Sequence, residues 1–287
     1  MPLVQRQEPF PHWQFEDPAS GDQLRLVPER GGLVCGWRCN GQELLYFDAE
    51  RFADPGKSVR GGIPVLFPIC GNLPDDTLEL PQGRFKLPQH GFARDLPWSL
   101  TGLPNDGGVR LELSDSAASR SCFPFAFRLQ LDLQLQSGAL AITARIANTG
   151  AAGTAPLPFS LGLHPYFAVT QPEAVQLEGL PATSLNHLTM APAATADQLE
   201  RLGEGVDLLC HGQGPVRLVD AAAGRAIRLE TNAPLDLVVV WTEPPRPMVC
   251  LEPWTAPRGA LASGERRLEL QPGEQLELNC CYRLESS

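Results

Sequence analysis

Phe127-Arg-Leu-Gln-Leu-Asp-Leu-Gln-Leu135 carries an apolar residue at every odd position, and Leu140, Ile142, Ala144 and Ile146 repeat that period after Ser137-Gly138. A period of two collects the apolar side chains on one face of an extended chain, so the stretch reads as a half-buried β-hairpin. The same alternation returns in Gln23 to Val27 and in Val109 to Leu113. It also predicts two further hairpins. One pairs Val216–Val219 with Ile227–Leu229 across Ala221-Ala222-Ala223-Gly224, and the other pairs Leu268–Leu270 with Leu276–Leu278 across Gln271-Pro272-Gly273-Glu274. Helix signals are thin: the best stretch, Ala193 to Leu202, follows Pro192 and is stopped by Gly203. With 28 prolines and 27 glycines marking turns, the expected class is all-β, a large antiparallel β-sandwich with few short helices.

No internal repeat or low-complexity linker divides the 287 residues, so a single domain over 1–287 is expected. The formal charge of −10, with lysine only at Lys57 and Lys86, offers no basic face for a phosphate backbone and argues against a nucleic-acid partner. No apolar run reaches the roughly 18 residues of a membrane span, and no signal-like stretch follows Met1-Pro2-Leu3-Val4-Gln5-Arg6. A cytoplasmic location without membrane partners is expected. Eight cysteines lack zinc-ribbon spacing. Cys35 and Cys39 lie four apart on one strand, while adjacent Cys280 and Cys281 point to opposite faces. Free buried thiols, with no metal site, are the expectation.

The strand rhythm breaks between Arg51 and Pro97, and long irregular segments on a β scaffold are where binding groups gather. This segment holds Arg60-Gly61-Gly62-Ile63-Pro64 and then Leu87-Pro88-Gln89-His90-Gly91-Phe92-Ala93-Arg94. His90 beside a glycine has room around its ring, although a hydrogen-bonded structural histidine reads equally well. Further on, Phe159-Ser160-Leu161-Gly162-Leu163-His164-Pro165-Tyr166-Phe167 places His164 at the end of an apolar strand that Pro165 stops. That imidazole suits either a packed core or a sugar platform. Met248-Val249-Cys250-Leu251-Glu252-Pro253-Trp254 embeds one carboxylate in apolar strand sequence. A salt bridge to an arginine would explain Glu252. So would a task, because burial lifts a carboxylate toward the range of a base at neutral pH.

Taken together, Arg-Gly-Gly-Ile-Pro, Leu-Pro-Gln-His-Gly-Phe-Ala-Arg, Leu-His-Pro-Tyr-Phe and Val-Cys-Leu-Glu-Pro, in this order, resemble the aldose 1-epimerase (galactose mutarotase-like) superfamily, including its hexose-6-phosphate branch. The resemblance implies a large antiparallel sandwich with a concave cleft, where Glu252 is the base, His164 the acid and His90 a second active-site histidine holding the sugar. It assigns Arg60, Arg94 and Gln89 to substrate contacts. Asp207, in Gly205-Val206-Asp207-Leu208-Leu209-Cys210, matches a sugar-hydroxyl carboxylate, though the Arg and Tyr of the phosphate branch are missing there and a surface-turn Asp is the alternative. No metal or redox cofactor is required by ring opening, which needs only an acid and a base flanking the anomeric carbon.

The implied partner is therefore an aldose or aldose phosphate, and the chain is expected as a monomer or homodimer. Arginine forks and the Leu-Pro-Gln-His-Gly wording favour a hexose 6-phosphate. Against it, Trp241-Thr242-Glu243-Pro244-Pro245-Arg246-Pro247 departs from the phosphate branch before Glu252, and both arginines also suit buried acidic partners. The expectation leans to a free aldose. A cleft that binds or senses sugar without catalysis is the other class of function, disfavoured by the intact His90, His164 and Glu252.

Overall fold

A computed structural model describes residues 3–287. Two eight-stranded antiparallel sheets dominate it, with a five-stranded sheet formed by the N-terminal strands from Leu3 to Glu43. The Phe127–Gln136 strand pairs with Ala139–Asn148 along its whole length, closing on Leu135 opposite Leu140 and Gln136 opposite Ala139. Gly138 takes φ +71° in the two-residue turn, a conformation that glycine adopts without steric cost. The hairpin lies inside the first large sheet, flanked by Val109–Ser114 and by the long C-terminal strand Gln275–Ser286.

The second large sheet contains Asp207–His211, Leu237–Trp241, Met248–Trp254, Gly162–Leu163 and Val65–Leu66 in that lateral order. Its two central strands are apolar on both faces. Val238, Val240, Val249 and Leu251 enter the main core beside Leu129, Leu131, Ile142 and Ile146 of the first sheet. The Tyr282 hydroxyl donates to the Leu251 carbonyl across that junction at 3.1 Å. The alternate residues Leu237, Val239 and Trp254 join Leu66, Cys70 and Leu209 in a smaller cluster on the opposite face. That second face carries the chemistry described below.

Val216–Asp220 and Arg225–Thr231 form the expected hairpin around Gly224, which takes φ +65°. The last expected hairpin does not form. Leu268–Leu270 pairs instead with Leu157–Phe159, while Gln275–Ser286 runs between Ala139–Asn148 and Arg225–Thr231. Asn148 separates the two arms. Its side-chain amide donates to the Leu270 carbonyl at 2.9 Å, and its backbone exchanges bonds with Gly273 and Glu274 at 2.9 and 3.0 Å. Asn148→Ala would strand a buried carbonyl and the Gly150 N–H that the Asn148 side chain also accepts. A loss of about 1–3 kcal/mol in urea unfolding is expected.

Helix is scarce, as expected. Within Ala193 to Leu202 only Thr195–Leu199 is helical, because Ala191–Ala194 is drawn into a strand against Thr183–Asn186. Among the described residues no helix is long and apolar enough to cross a membrane. All eight cysteines are free, and six of them are buried. Burial pushes the Cys35, Cys39 and Cys210 thiols up to about 12, so these behave as small apolar side chains rather than nucleophiles.

Candidate active site

Strand register brings His164 and Glu252 face to face. Gly162 sits opposite Trp254 and Tyr166 opposite Cys250, so the break between them carries His164 past Glu252. Pro165 has no N–H to continue the ladder. The His164 and Tyr166 N–H groups donate to the Pro64 and Gly62 carbonyls, each at 2.9 Å, which ties the break to the Arg-Gly-Gly-Ile-Pro segment. His164 Nε2 then lies 3.3 Å from Glu252 Oε1. Tyr166 stacks on the His164 ring at 4.7 Å and 14°, and Trp241 meets it edge-on at 5.5 Å.

Glu252 is 1% exposed. Among the described residues its side chain has no arginine partner; it accepts a hydrogen bond from Trp254 Nε1 at 3.0 Å and faces His164. Burial, reinforced by the charge of Asp207, holds its carboxyl well above the usual carboxylate range. His164 is driven the other way, down to about 3, by burial and then by the nearby Arg94 charge. Both shifts disfavour ions in a dry site. An ionised Glu252 at 3.3 Å would in turn favour a protonated His164. Between the two titrations the pair thus holds a single proton, carried by one member or passed to the other.

His90 is placed by backbone. It takes φ +66°, and its N–H donates to the Gly71 carbonyl at 2.6 Å. The Gly71 N–H donates back to His90 Nδ1 at 3.1 Å, which makes Nδ1 an acceptor and leaves the ring proton on Nε2. Burial, followed by the charge of His164, keeps His90 well below the usual histidine range. His90 is therefore a neutral Nε2–H donor. Its neighbour Gly91 must lack a side chain, because a Cβ there would lie 2.2 Å from the Phe67 carbonyl oxygen.

Asp207 lies at the start of the Asp207–His211 strand, in a clamp that the sequence reading missed. One carboxylate oxygen meets His187 Nδ1 at 2.7 Å, and the other accepts from Arg258 at 2.6 Å. His187 stacks at 30° against Trp254. No motif marks either residue: His187 reaches Asp207 only because Leu185 and Asn186 pair with Leu209 and Leu208.

Arg60 forms a two-pronged ion pair with Glu243, Nε to Oε2 at 2.8 Å and Nη2 to Oε1 at 3.2 Å. Arg94 is less well matched. It donates to the Gln89 carbonyl at 2.9 Å, and its carboxylate neighbour Asp95 is 3.9 Å away. Burial disfavours its charge.

All seven residues singled out in the sequence, Arg60, Gln89, His90, Arg94, His164, Asp207 and Glu252, line one cleft of about 220 Å³. Ser58, Tyr166, Trp241, Trp254 and Arg258 complete its polar and aromatic wall. Flat indole and phenol faces beside convergent donors and acceptors suit a polyhydroxylated ring, which is apolar on its C–H faces and polar at its edge. The donor atoms of His164, Cys250 and Glu252 also lie within 4.8 Å of one another, a set able to hold a thiophilic divalent ion. Burial raises the Cys250 thiol well above its usual range, which works against such loading.

Relatives share this arrangement of strands. The Slr1438 protein from Synechocystis sp. PCC 6803 superposes with a TM-score of 0.90 at 38% identity, over 96% of each chain. A galactose mutarotase related enzyme from Lactobacillus acidophilus shares the fold, at a TM-score of 0.77 and 19% identity over 96% of this chain and 97% of that one. A Cenchrus ciliaris protein described as "Putative glucose-6-phosphate 1-epimerase" is 28% identical over 271 residues, which span 85% of this chain and 76% of that protein. The family profile described as aldose 1-epimerase matches residues 25–283, and the chain belongs to the aldose 1-epimerase family.

Proposed function

We propose that the cleft interconverts the α and β anomers of an aldose by opening and reclosing its ring. The observation that carries this reading is the His164–Glu252 contact, two titratable groups 3.3 Å apart on the wall of one cleft and able to pass a proton between them. With the shared proton on His164, Glu252 takes the proton of the anomeric hydroxyl while His164 gives one to the ring oxygen. The bond from C1 to the ring oxygen breaks as the C1 carbonyl forms. Rotation about C1–C2 and reclosure from the other face return both protons and yield the other anomer.

The remaining groups hold the sugar. His90 donates from Nε2, and Asp207, fixed by His187 and Arg258, accepts from ring hydroxyls. Trp241, Trp254 and Tyr166 supply the apolar platform. The catalysis needed is modest, because general acid and base groups supply about 10²–10⁴-fold to a reaction that already proceeds in water. Freshly dissolved α-glucose should reach its equilibrium rotation faster in proportion to added protein. An unchanged rate across free and 6-phosphorylated aldoses would remove the reading.

The preferred substrate is a free aldose, because Glu243 already satisfies Arg60. Two observations favour a hexose 6-phosphate instead: Arg94 lines the cleft with its carboxylate neighbour Asp95 only at 3.9 Å, and the Cenchrus ciliaris relative carries that name. Competition by inorganic phosphate separates the two readings, strong for the second and weak for the first.

The shared proton fixes the pH dependence. On the acid side the pair gains a second proton only where His164 titrates, well below the usual histidine range. On the alkaline side the last proton leaves only above the usual carboxylate range. A plot of kcat/KM should therefore hold its value as pH falls through the ordinary histidine pKa of about 6.5 and decline only further into acid. A loss of activity on the acid side centred there would contradict the shared proton.

A further inference from the structure

The geometry points to Glu243 as the residue that sets whether this cleft prefers a neutral or an anionic sugar, by occupying the Arg60 guanidinium that a phosphate would use. This rests on the epimerase reading above. Arg60 is saturated. Besides the two bonds to Glu243, its Nη1 donates to Ser58 Oγ at 3.1 Å and to the Val59 carbonyl at 3.4 Å. The guanidinium also lies 5.8 Å from the Trp241 ring centroid, at the wall of the cleft. Glu243 lies two residues beyond the strand that ends at Trp241, and its side chain is 31% exposed.

Four charges around this rim cancel. Arg246 donates to Glu243 Oε2 at 2.8 Å and stands 3.5 Å from Asp48, so two arginines face two carboxylates. An approaching phosphate would have to displace Glu243 from Arg60 and then sit beside its negative charge. That repulsion is strong at a half-buried site, where screening by water is reduced. Arg94 lines the same cleft and lies near enough for Arg60 to disfavour its charge. With Glu243 uncharged, Arg60, Arg94 and Ser58 together would present donors to the oxygens of a single phosphate. The charge of one side chain thus separates a cleft for free sugars from one for sugar phosphates.

The test is Glu243→Gln, which keeps the shape and removes the charge. Anomerisation of glucose and of glucose 6-phosphate is measured with inorganic phosphate as competitor. The ratio of kcat/KM for glucose 6-phosphate over glucose is expected to rise ten- to a hundredfold, the worth of charge-assisted hydrogen bonds. Phosphate should inhibit at correspondingly lower concentration. Glu243→Asp, which retains the charge, should stay near the wild-type ratio, and adding Arg60→Ala to Glu243→Gln should erase the gain. An unchanged ratio, or a parallel loss on both sugars in a normally folded variant, overturns the proposal. If Glu243→Gln alone unfolds, combining it with Arg246→Gln removes the partner left unmatched and gives the same comparison. Should the wild type turn over neither sugar, the epimerase reading fails on its own. Calorimetric titration with inorganic phosphate then still tests Glu243, and equal affinities for wild type and Glu243→Gln would refute its role.

Discussion

Glu252→Gln is expected to fold normally and to lose about 10²–10⁴-fold in kcat, the range spanned by a positioned general base. The amide keeps the size of the side chain, and its oxygen can still accept from Trp254 Nε1, which is bonded to Glu252 at 3.0 Å in the native protein. It cannot take the anomeric proton. The same substitution should stabilise the fold, and the sign follows from the raised pKa. In the unfolded chain the carboxyl ionises near 4.5, whereas the folded chain holds its proton to higher pH. Folding of the wild type therefore loses ground as pH climbs from the unfolded value through the folded one, and glutamine has no such loss. The melting temperature of Glu252→Gln should exceed that of the wild type by more in mildly alkaline than in mildly acidic buffer. Activity within a few-fold of wild type would take Glu252 out of the chemistry.

His164→Asn should cost a similar factor, carried by kcat rather than KM. Asparagine leaves a polar group beside Glu252 but has no proton to exchange, while Tyr166, Trp241 and the His90 donor still hold the sugar. The informative comparison is the double variant. Two groups that share one proton act as a unit, so removing both should cost little more than removing either. Fully multiplicative losses would mean that His164 and Glu252 work independently. A rise in KM alone would make His164 a binding group.

Much of this was legible in the sequence, and what was not has physical causes. The Phe127–Ile146 hairpin follows from alternation plus a Ser-Gly turn, both local signals. Four separated motifs predicted one cleft because each combines a polar group with residues that restrict the backbone around it: Gly61-Gly62, Gly91, Pro165 and Pro253. The Leu268–Leu278 hairpin misled because its turn looks local, while Asn148, more than a hundred residues earlier, holds the two arms apart. His187 and Arg258 escaped notice for a related reason. Each is an isolated polar residue without periodicity or spacing, and only strand pairing and the Trp254 face bring them to Asp207. Arg60 was read as either a phosphate contact or a partner for an acidic group, and the structure gives it the acidic partner, Glu243.

The account stands most directly on exchange between anomers at equilibrium, read by nuclear magnetic resonance from magnetisation passing between the α and β anomeric protons of an unlabelled aldose. No coupled enzyme and no net reaction are needed, so the signal reports ring opening and reclosure alone. With catalytic amounts of wild-type protein, exchange should exceed the buffer rate in proportion to protein for at least one free or 6-phosphorylated hexose, and Glu252→Gln should return it nearly to the buffer rate. Exchange equal to buffer for every hexose tried, or equal acceleration by wild type and Glu252→Gln, would contradict the claim that this cleft is an acid–base site for anomer interconversion.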